Sequence, residues 1–153
     1  MWSGKDVDDY AAVGGDHNPL HLDEEFAATT RFGQRVVHGM LTAGLFGTTL
    51  ATVVPGSVYV TQDLRFTAPV FLDVPVVARV EVTHMDRRMV DFATTAFVLP
   101  RGADGDVEAA KNDTGDGGSA VDLVGGVDSV VPVIAGTARV MVPREAAAGG
   151  HPR

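Results

Sequence analysis

The longest apolar segment of the chain spans residues 36–53 and reads VVHGMLTAGLFGTTLATV. On a helical projection apolar residues cover most of its circumference, which predicts a helix buried in the core. Gly44 and Gly47 fall three positions apart on one side of it, where we expect close packing against a sheet. Pro55 and Gly56 follow the helix and end it.

After this helix the apolar residues change to a period of two, which is typical of strands. Four strands are predicted, each with one apolar face, by the residues Val58, Val60, Leu64 and Phe66; Val76, Ala78, Val80 and Val82; Val90, Phe92, Ala96 and Val98; and Ile134, Ala138, Val140 and Val142. Residues 86–88 predict a hairpin turn. The order favours an α+β domain in which an antiparallel sheet wraps around a central apolar helix. One helix covers only part of a sheet face, so we expect dimerisation.

Two shorter helices are predicted before the apolar segment, over residues 5–13 and 22–30. Both carry acidic residues in their first turn, where negative charge suits the helix dipole. Residues 16–21, DHNPLH, lie between them, and their Asn-Pro pair favours a turn. Asp16 and His21 are therefore expected on a polar loop.

Composition excludes several classes of function. The 153 residues suit one domain, and the absence of cysteine removes disulfides and thiolate chemistry. A net charge of −8 disfavours nucleic acid as a partner. No uninterrupted apolar run reaches about 18 residues, so we expect no membrane-spanning helix. No signal segment is recognised at the start, so we expect a cytoplasmic protein.

We interpret residues 1–153 as a single domain with two irregular parts. Residues 101–130 are rich in Gly, Asp, Ser and Ala, which predicts a flexible insertion in the last hairpin. Residues 144–153 predict a disordered tail.

Four polar residues close in sequence are candidates for chemistry: Asp16, Asn18, His21 and His38. A carboxylate and an imidazole five residues apart across a turn could converge on one water or substrate and act as acid and base. A capping aspartate and a solvated histidine are the plain alternatives. A metal site that includes His17 is the rival hypothesis, but the spacing matches no strong metal motif, and we expect no metal.

His38 and Gly39 begin the apolar helix, where backbone N–H groups are unpaired and lie at the positive end of the dipole. Glycine lets a ligand approach this backbone closely. The pair could polarise a carbonyl oxygen in the manner of an oxyanion hole. A plain helix start fits the same two residues.

Taken together, these stretches resemble the MaoC-type (R)-specific enoyl-CoA hydratases, which adopt the hot-dog fold. The likeness is carried by residues 15–23, GDHNPLHLD, then Phe26-Ala27, then residues 36–41, VVHGML. It covers roughly residues 8–98 and resumes at 132–142.

The resemblance implies roles for the candidate residues. Asp16 and His21 would hold and activate a water for syn addition across a trans-2-enoyl-CoA, giving a (3R)-3-hydroxyacyl-CoA. The N–H of Gly39 would polarise the thioester carbonyl, and Asn18 and His38 would belong to the substrate-binding site. No cofactor is implied beyond the CoA of the substrate. The family also implies a homodimer joined sheet edge to edge and a role in fatty-acid or polyhydroxyalkanoate metabolism.

The chain departs from the family pattern at two places that bear on function. Members usually carry about one further strand before the first helix, so either that strand is missing from this chain or the sheet is shorter and has an exposed edge. Gly47 stands where some bacterial members have a supporting serine. Three alternatives stay open: a hydratase of branched or dicarboxylic enoyl-CoA (mesaconyl-CoA type), a hot-dog acyl-CoA thioesterase and a non-catalytic acyl-CoA-binding subunit. The lack of a carboxylate between Val36 and Val53 disfavours the thioesterase.

Overall fold

The computed structural model describes residues 1–99 and 130–144, and within them one antiparallel sheet packs against a central helix. The sheet has the strand order β1-β4-β3-β2. The elements are α1 (Gly4–Gly14), α2 (Pro19–Leu22), α3 (Glu24–Thr29), α4 (Gly39–Val53), β1 (Val58–Phe66), β2 (Val76–Asp86), β3 (Met89–Val98) and β4 (Val131–Met141). This architecture confirms the predicted α+β class.

Two predicted segments fall where the structure gives no description. The insertion expected over 101–130 and the tail expected over 144–153 lie, except for residues 130 and 144, outside the described residues. Within the described part of the chain, no helix is long and apolar enough to cross a membrane.

Helix α4 packs one side against the sheet. Phe46 lies in a buried cluster with Ala96 of β3 and Ile134 of β4, and Leu50 lies in a second buried cluster with other residues of these two strands. The opposite side is open, since Met40 is 56% exposed and Val53 is 72% exposed. The expectation of burial around most of the helix is therefore wrong for the single chain.

Along α4, Thr42, Ala43, Phe46 and Leu50 are buried, whereas Met40 and Val53 are exposed. The single sheet covers one face of α4 and leaves the other face open.

The central helix begins three residues later than the apolar segment does. Val36 forms a bridge with Phe71, and the N–H of Val37 donates to the carbonyl of Val70 at 2.8 Å. These pairings hold residues 36–37 in an extended form, so the helix starts at Gly39. The predicted start of the helix at His38 and Gly39 is confirmed, and pairing with the segment after β1 keeps the two apolar residues before it out of the helix.

The first predicted helix is confirmed as α1. Ser3 caps its start in a reciprocal capping box with Asp6, and Gly15 ends it in the left-handed conformation at φ 75°. The helix predicted over 22–30 is confirmed as α3, whereas the segment predicted as a polar loop before it contains a further short helix, α2. Asp23 ends α2, and its side chain accepts a hydrogen bond from the N–H of Phe26 to begin α3. His21 therefore lies on a helix, not on a loop.

Strand β1 contains a register shift between Tyr59 and Thr61, which reverses its two faces locally. The Tyr59 ring consequently lies 3.9 Å from where a Cβ of Gly47 would be, on the helix-facing side. The predicted apolar face of β1 is wrong at this end, since Val60 is 50% exposed. Nothing lies within 4 Å of a Cβ at Gly44, so close packing does not explain that glycine.

The hairpin predicted at residues 86–88 is confirmed, because β2 ends at Asp86 and β3 begins at Met89. In the centre of the sheet, Gly136 of β4 pairs with Leu64 of β1. A Cβ at Gly136 would overlap the carbonyl oxygen of Asp63, so the two strands can pair here only around a glycine.

We expect Gly136→Ala to lower the free energy of unfolding by about 2–3 kcal/mol, because overpacking forces the two strands apart. The matched control is Gly44→Ala, which adds the same methyl group in open space on a helix and should raise stability by up to about 1 kcal/mol. Urea denaturation followed by circular dichroism measures both. Unchanged stability of Gly136→Ala would contradict the close approach.

Candidate active site

A cavity of about 410 Å³ lies at the N-terminal end of α4. One part of its wall is polar and the other is mainly apolar. The polar groups belong to Asp16, His21, His38, Gly39 and Thr42, and the apolar wall includes Val36, Val37, Phe66, Val70 and Ile134. Three of the predicted site residues, Asp16, His21 and His38, therefore meet in one place, together with Gly39.

Asp16 and His21 face each other across a short gap. The Asp16 Oδ2 atom lies 4.0 Å from Nε2 of His21. The Asp16 side chain is 53% exposed and that of His21 is 13% exposed. Two hydrogen bonds of about 2.8 Å can meet at one oxygen atom across such a gap. The pair is thus spaced to hold one water molecule between carboxylate and imidazole.

The tautomer of His21 follows from its other ring nitrogen. Nδ1 lies 2.6 Å from the carbonyl oxygen of Val36. A carbonyl only accepts hydrogen bonds, so Nδ1 carries the hydrogen and donates it. In the neutral ring, Nε2 then presents a lone pair towards Asp16, as a base requires.

Asn18 shapes the turn between the two residues. Its N–H donates to Oδ1 of Asp16 at 3.2 Å, and its side-chain oxygen accepts from the N–H of Leu20 at 3.1 Å. Pro19 follows as the first residue of α2. Asn18 is not among the residues that line the cavity, and these contacts set the position of Asp16 and His21.

His38 is 1% exposed and caps α4. Its Nε2–H donates to the backbone carbonyl of Asp16 at 3.0 Å. Its ring also stacks on that of His21, with centroids 3.9 Å apart. His38 thus joins the start of the central helix to the backbone that carries the carboxylate.

The same three side chains were the core of the rival metal hypothesis, and their ligand atoms lie within 4.8 Å of one another. Two ring nitrogens are already committed to backbone carbonyls, Nδ1 of His21 and Nε2 of His38. The cluster still offers the carboxylate of Asp16 and Nε2 of His21, and Nδ1 of His38 is buried without a partner among the described residues. His17 is exposed and does not belong to the cluster. The expectation of no metal stays a prediction.

Gly39 brings a free donor to the cavity. The N–H groups of Leu41 and Thr42 donate to the carbonyl of His38, while that of Gly39 has no partner among the described residues. A Cβ at Gly39 would lie 2.6 Å from the Phe66 ring, so any other residue at this position requires the ring to shift. Gly47, which stands where a supporting serine was expected, is not among the cavity residues.

Sequence reasoning missed Arg35. Its Nε–H donates to the carbonyl of His21 at 2.6 Å, and Nη2 donates to Asp8 of α1 at 2.7 Å. The guanidinium therefore ties α2 to α1 behind the site. No local pattern connects an arginine with a backbone carbonyl fourteen positions earlier, so the sequence offered no signal for it.

Solved structures place this arrangement in a known fold. The (R)-hydratase from Aeromonas caviae involved in PHA biosynthesis matches with a TM-score of 0.71 and 32% identity, over 94% of this chain and 89% of that one. An R-hydratase from Pseudomonas aeruginosa matches with a TM-score of 0.70 and 33% identity, over 94% and 76%. These matches confirm the predicted hot-dog fold.

The family model for the MaoC like domain matches residues 3–98, and the chain belongs to this family. A 3-hydroxybutyryl-CoA dehydratase of Methylorubrum extorquens is 45% identical over 100 residues, 63% of this chain and 64% of the relative, so the match spans less than two thirds of that relative. The (R)-specific enoyl-CoA hydratase of Aeromonas caviae is 47% identical over 92 residues, 58% of this chain and 69% of the relative.

We expect Arg35→Met to lower the free energy of unfolding by about 2 kcal/mol, because the part-buried His21 carbonyl loses a charged donor. Asp8→Asn removes only the charge of the exposed partner and should cost less than about 1 kcal/mol. Urea denaturation of both variants measures the difference. Equal losses would show that the arginine acts through Asp8 and not through the carbonyl.

Proposed function

We propose that this chain is an (R)-specific enoyl-CoA hydratase that adds water syn across a trans-2-enoyl-CoA. The observation that carries the proposal is the Asp16–His21 pair, 4.0 Å apart, in a cavity that also receives the free N–H of Gly39. Relatives named hydratases and dehydratases support the same reaction class.

In the proposed mechanism, one water lies between the carboxylate of Asp16 and Nε2 of His21. As its oxygen bonds to C3 of the substrate, the pair accepts a proton, and a proton reaches C2 from the same side of the double bond. The double bond becomes single, and the elements of one water are added. The product is the (3R)-3-hydroxyacyl-CoA.

Negative charge develops on the thioester oxygen while C3 is attacked. The N–H of Gly39, at the positive end of the α4 dipole, is placed to stabilise it. His38 and Asn18 act as positioning residues, because one holds the Asp16 backbone and the other shapes the turn. Hydration changes no net oxidation state, so we propose no redox cofactor.

The cavity walls favour a short acyl chain. Val37, Val70 and Ile134 give the inner wall an apolar surface, and 410 Å³ suits a small group. Arg31 also lines the cavity and is exposed, so it can meet a CoA phosphate. We therefore propose short trans-2-enoyl-CoA substrates of fatty-acid or polyhydroxyalkanoate metabolism.

We expect Asp16→Asn and His21→Gln each to lower kcat for crotonyl-CoA hydration by about 10²–10⁴-fold, since each removes a proton-transfer group. Loss of enoyl-thioester absorbance, with chiral analysis of the product, measures this. His17→Gln is the matched control: it changes a neighbouring exposed histidine outside the cavity and should keep the wild-type rate.

Three outcomes would contradict the proposal in different ways. Near-wild-type rates in both site variants would remove the assigned roles. Release of free CoA without hydration would favour a thioesterase. Tight acyl-CoA binding without turnover, on crotonyl-CoA and on branched or dicarboxylic enoyl-CoA alike, would favour the non-catalytic subunit.

We also propose that the chain forms a homodimer through β1. This strand lies at one edge of the described sheet, and its apolar side chains Val58, Val60 and Phe66 are 52%, 50% and 53% exposed. An apolar edge strand readily pairs with another chain. Two copies joined at β1 would continue one sheet across a two-fold axis.

We expect the wild type to sediment at twice the chain mass of 16.0 kDa. Val60→Glu should shift it towards the monomer, because a charge would be buried in the joined edge. Val82→Glu is the matched control, a 58% exposed valine on the opposite edge strand β2, and should leave the dimer intact. A monomeric wild type in analytical ultracentrifugation would refute the proposed dimer.

A further inference from the structure

Two buried polar atoms beside the candidate site have no hydrogen-bond partner among the described residues. They are Nδ1 of His38 and Oγ1 of Thr42. The two residues are 1% and 0% exposed, and both line the cavity. Burying a polar group without a partner costs free energy, so both atoms call for a ligand.

The two atoms are suited to one shared ligand. Thr42 lies one helical turn after His38, since its N–H donates to the carbonyl of His38 at 3.3 Å, and both residues line the same cavity. Nε2 of His38 carries the hydrogen that is donated to Asp16, so Nδ1 of the neutral ring can only accept. The hydroxyl of Thr42 can donate and accept. A water molecule meets both requirements.

Thr42 differs from the other three threonines of α4. The hydroxyls of Thr48, Thr49 and Thr52 each donate to the carbonyl four residues earlier, at 3.3, 2.8 and 2.8 Å. The corresponding carbonyl for Thr42 is that of His38, and the hydroxyl makes no such bond. The one fully buried hydroxyl of this helix is therefore the one left free for a ligand.

We propose that Thr42 and His38 together bind one buried water, which bridges Oγ1 and Nδ1 and keeps His38 in the tautomer with its hydrogen on Nε2. That hydrogen holds the backbone of Asp16. Thr42 is thus a positioning residue that acts on Asp16 through His38. The catalytic part of this inference rests on the proposed function, whereas the water bridge does not.

The test compares Thr42→Val, which keeps the shape and removes the hydroxyl, with Thr42→Ser, which keeps the hydroxyl. Thr49→Val is the control, because that hydroxyl is bound to its own helix. The ¹⁵N chemical shifts of the His38 ring report its tautomer, with His38→Gln used for assignment. Thermal unfolding and crotonyl-CoA kinetics complete the comparison.

We expect the Nε2–H tautomer in wild type, Thr42→Ser and Thr49→Val, and a mixture of tautomers in Thr42→Val. Thr42→Val should also lower Tm and reduce kcat about tenfold with KM within twofold. If the buried hydroxyl of Thr42 bound no ligand, Thr42→Val would instead raise Tm, because a methyl group would replace an unpaired polar group. An unchanged tautomer with an equal or higher Tm would overturn the proposal.

A crystal structure of the wild type at high resolution tests the bridge even where Thr42→Val does not fold. We expect a water within about 3.2 Å of both atoms. Well-defined electron density around the two side chains that shows no such water would overturn the bridge. An inactive wild type that nevertheless shows the water and the tautomer change would refute the proposed function and leave the bridge standing. An active wild type that lacks the water and the tautomer change would refute the bridge and leave the proposed function standing.

Discussion

The site depends on the hydrogen bond from His38 Nε2 to the backbone carbonyl of Asp16. It joins two parts of the chain that are otherwise separate, the turn after α1 and the first turn of α4. Because His38 is almost fully buried, water does not compete for this bond. The carboxylate of Asp16 and the N–H of Gly39 consequently keep a fixed relation to one another, although one belongs to an exposed turn and the other to the core helix.

Much of the fold could be predicted from periodicity. Alternation indicated β3 and β4 correctly, because both are central strands of the sheet and their buried side chains follow the period of two. It failed at the start of β1, where the shift near Val60 reverses the faces without a distinctive residue. The start of α4 at His38-Gly39 was predicted, whereas the pairing of Val37 with Val70 just before it is a long-range contact that local patterns do not report.

The residues of the candidate site could be predicted from the sequence, but their hydrogen bonds could not. The Asp-x-Asn-Pro-x-His spacing and the His-Gly helix start indicated the residues that meet at the cavity. The sequence did not indicate that Arg35 would hold the His21 carbonyl, or which nitrogen of each histidine would be free. Those features follow from backbone carbonyls brought near by the tertiary fold, and any residue type can supply a carbonyl.

The contact between Gly39 and Phe66 limits how related chains can vary. The Phe66 ring occupies the space that a side chain at position 39 would need. A change to alanine at position 39 therefore requires either a shifted ring or a smaller residue at position 66, and the two positions should covary across related sequences. Since Phe66 is also the last residue of the edge strand β1, substitutions that reshape this edge and substitutions at the helix start are not independent in evolution.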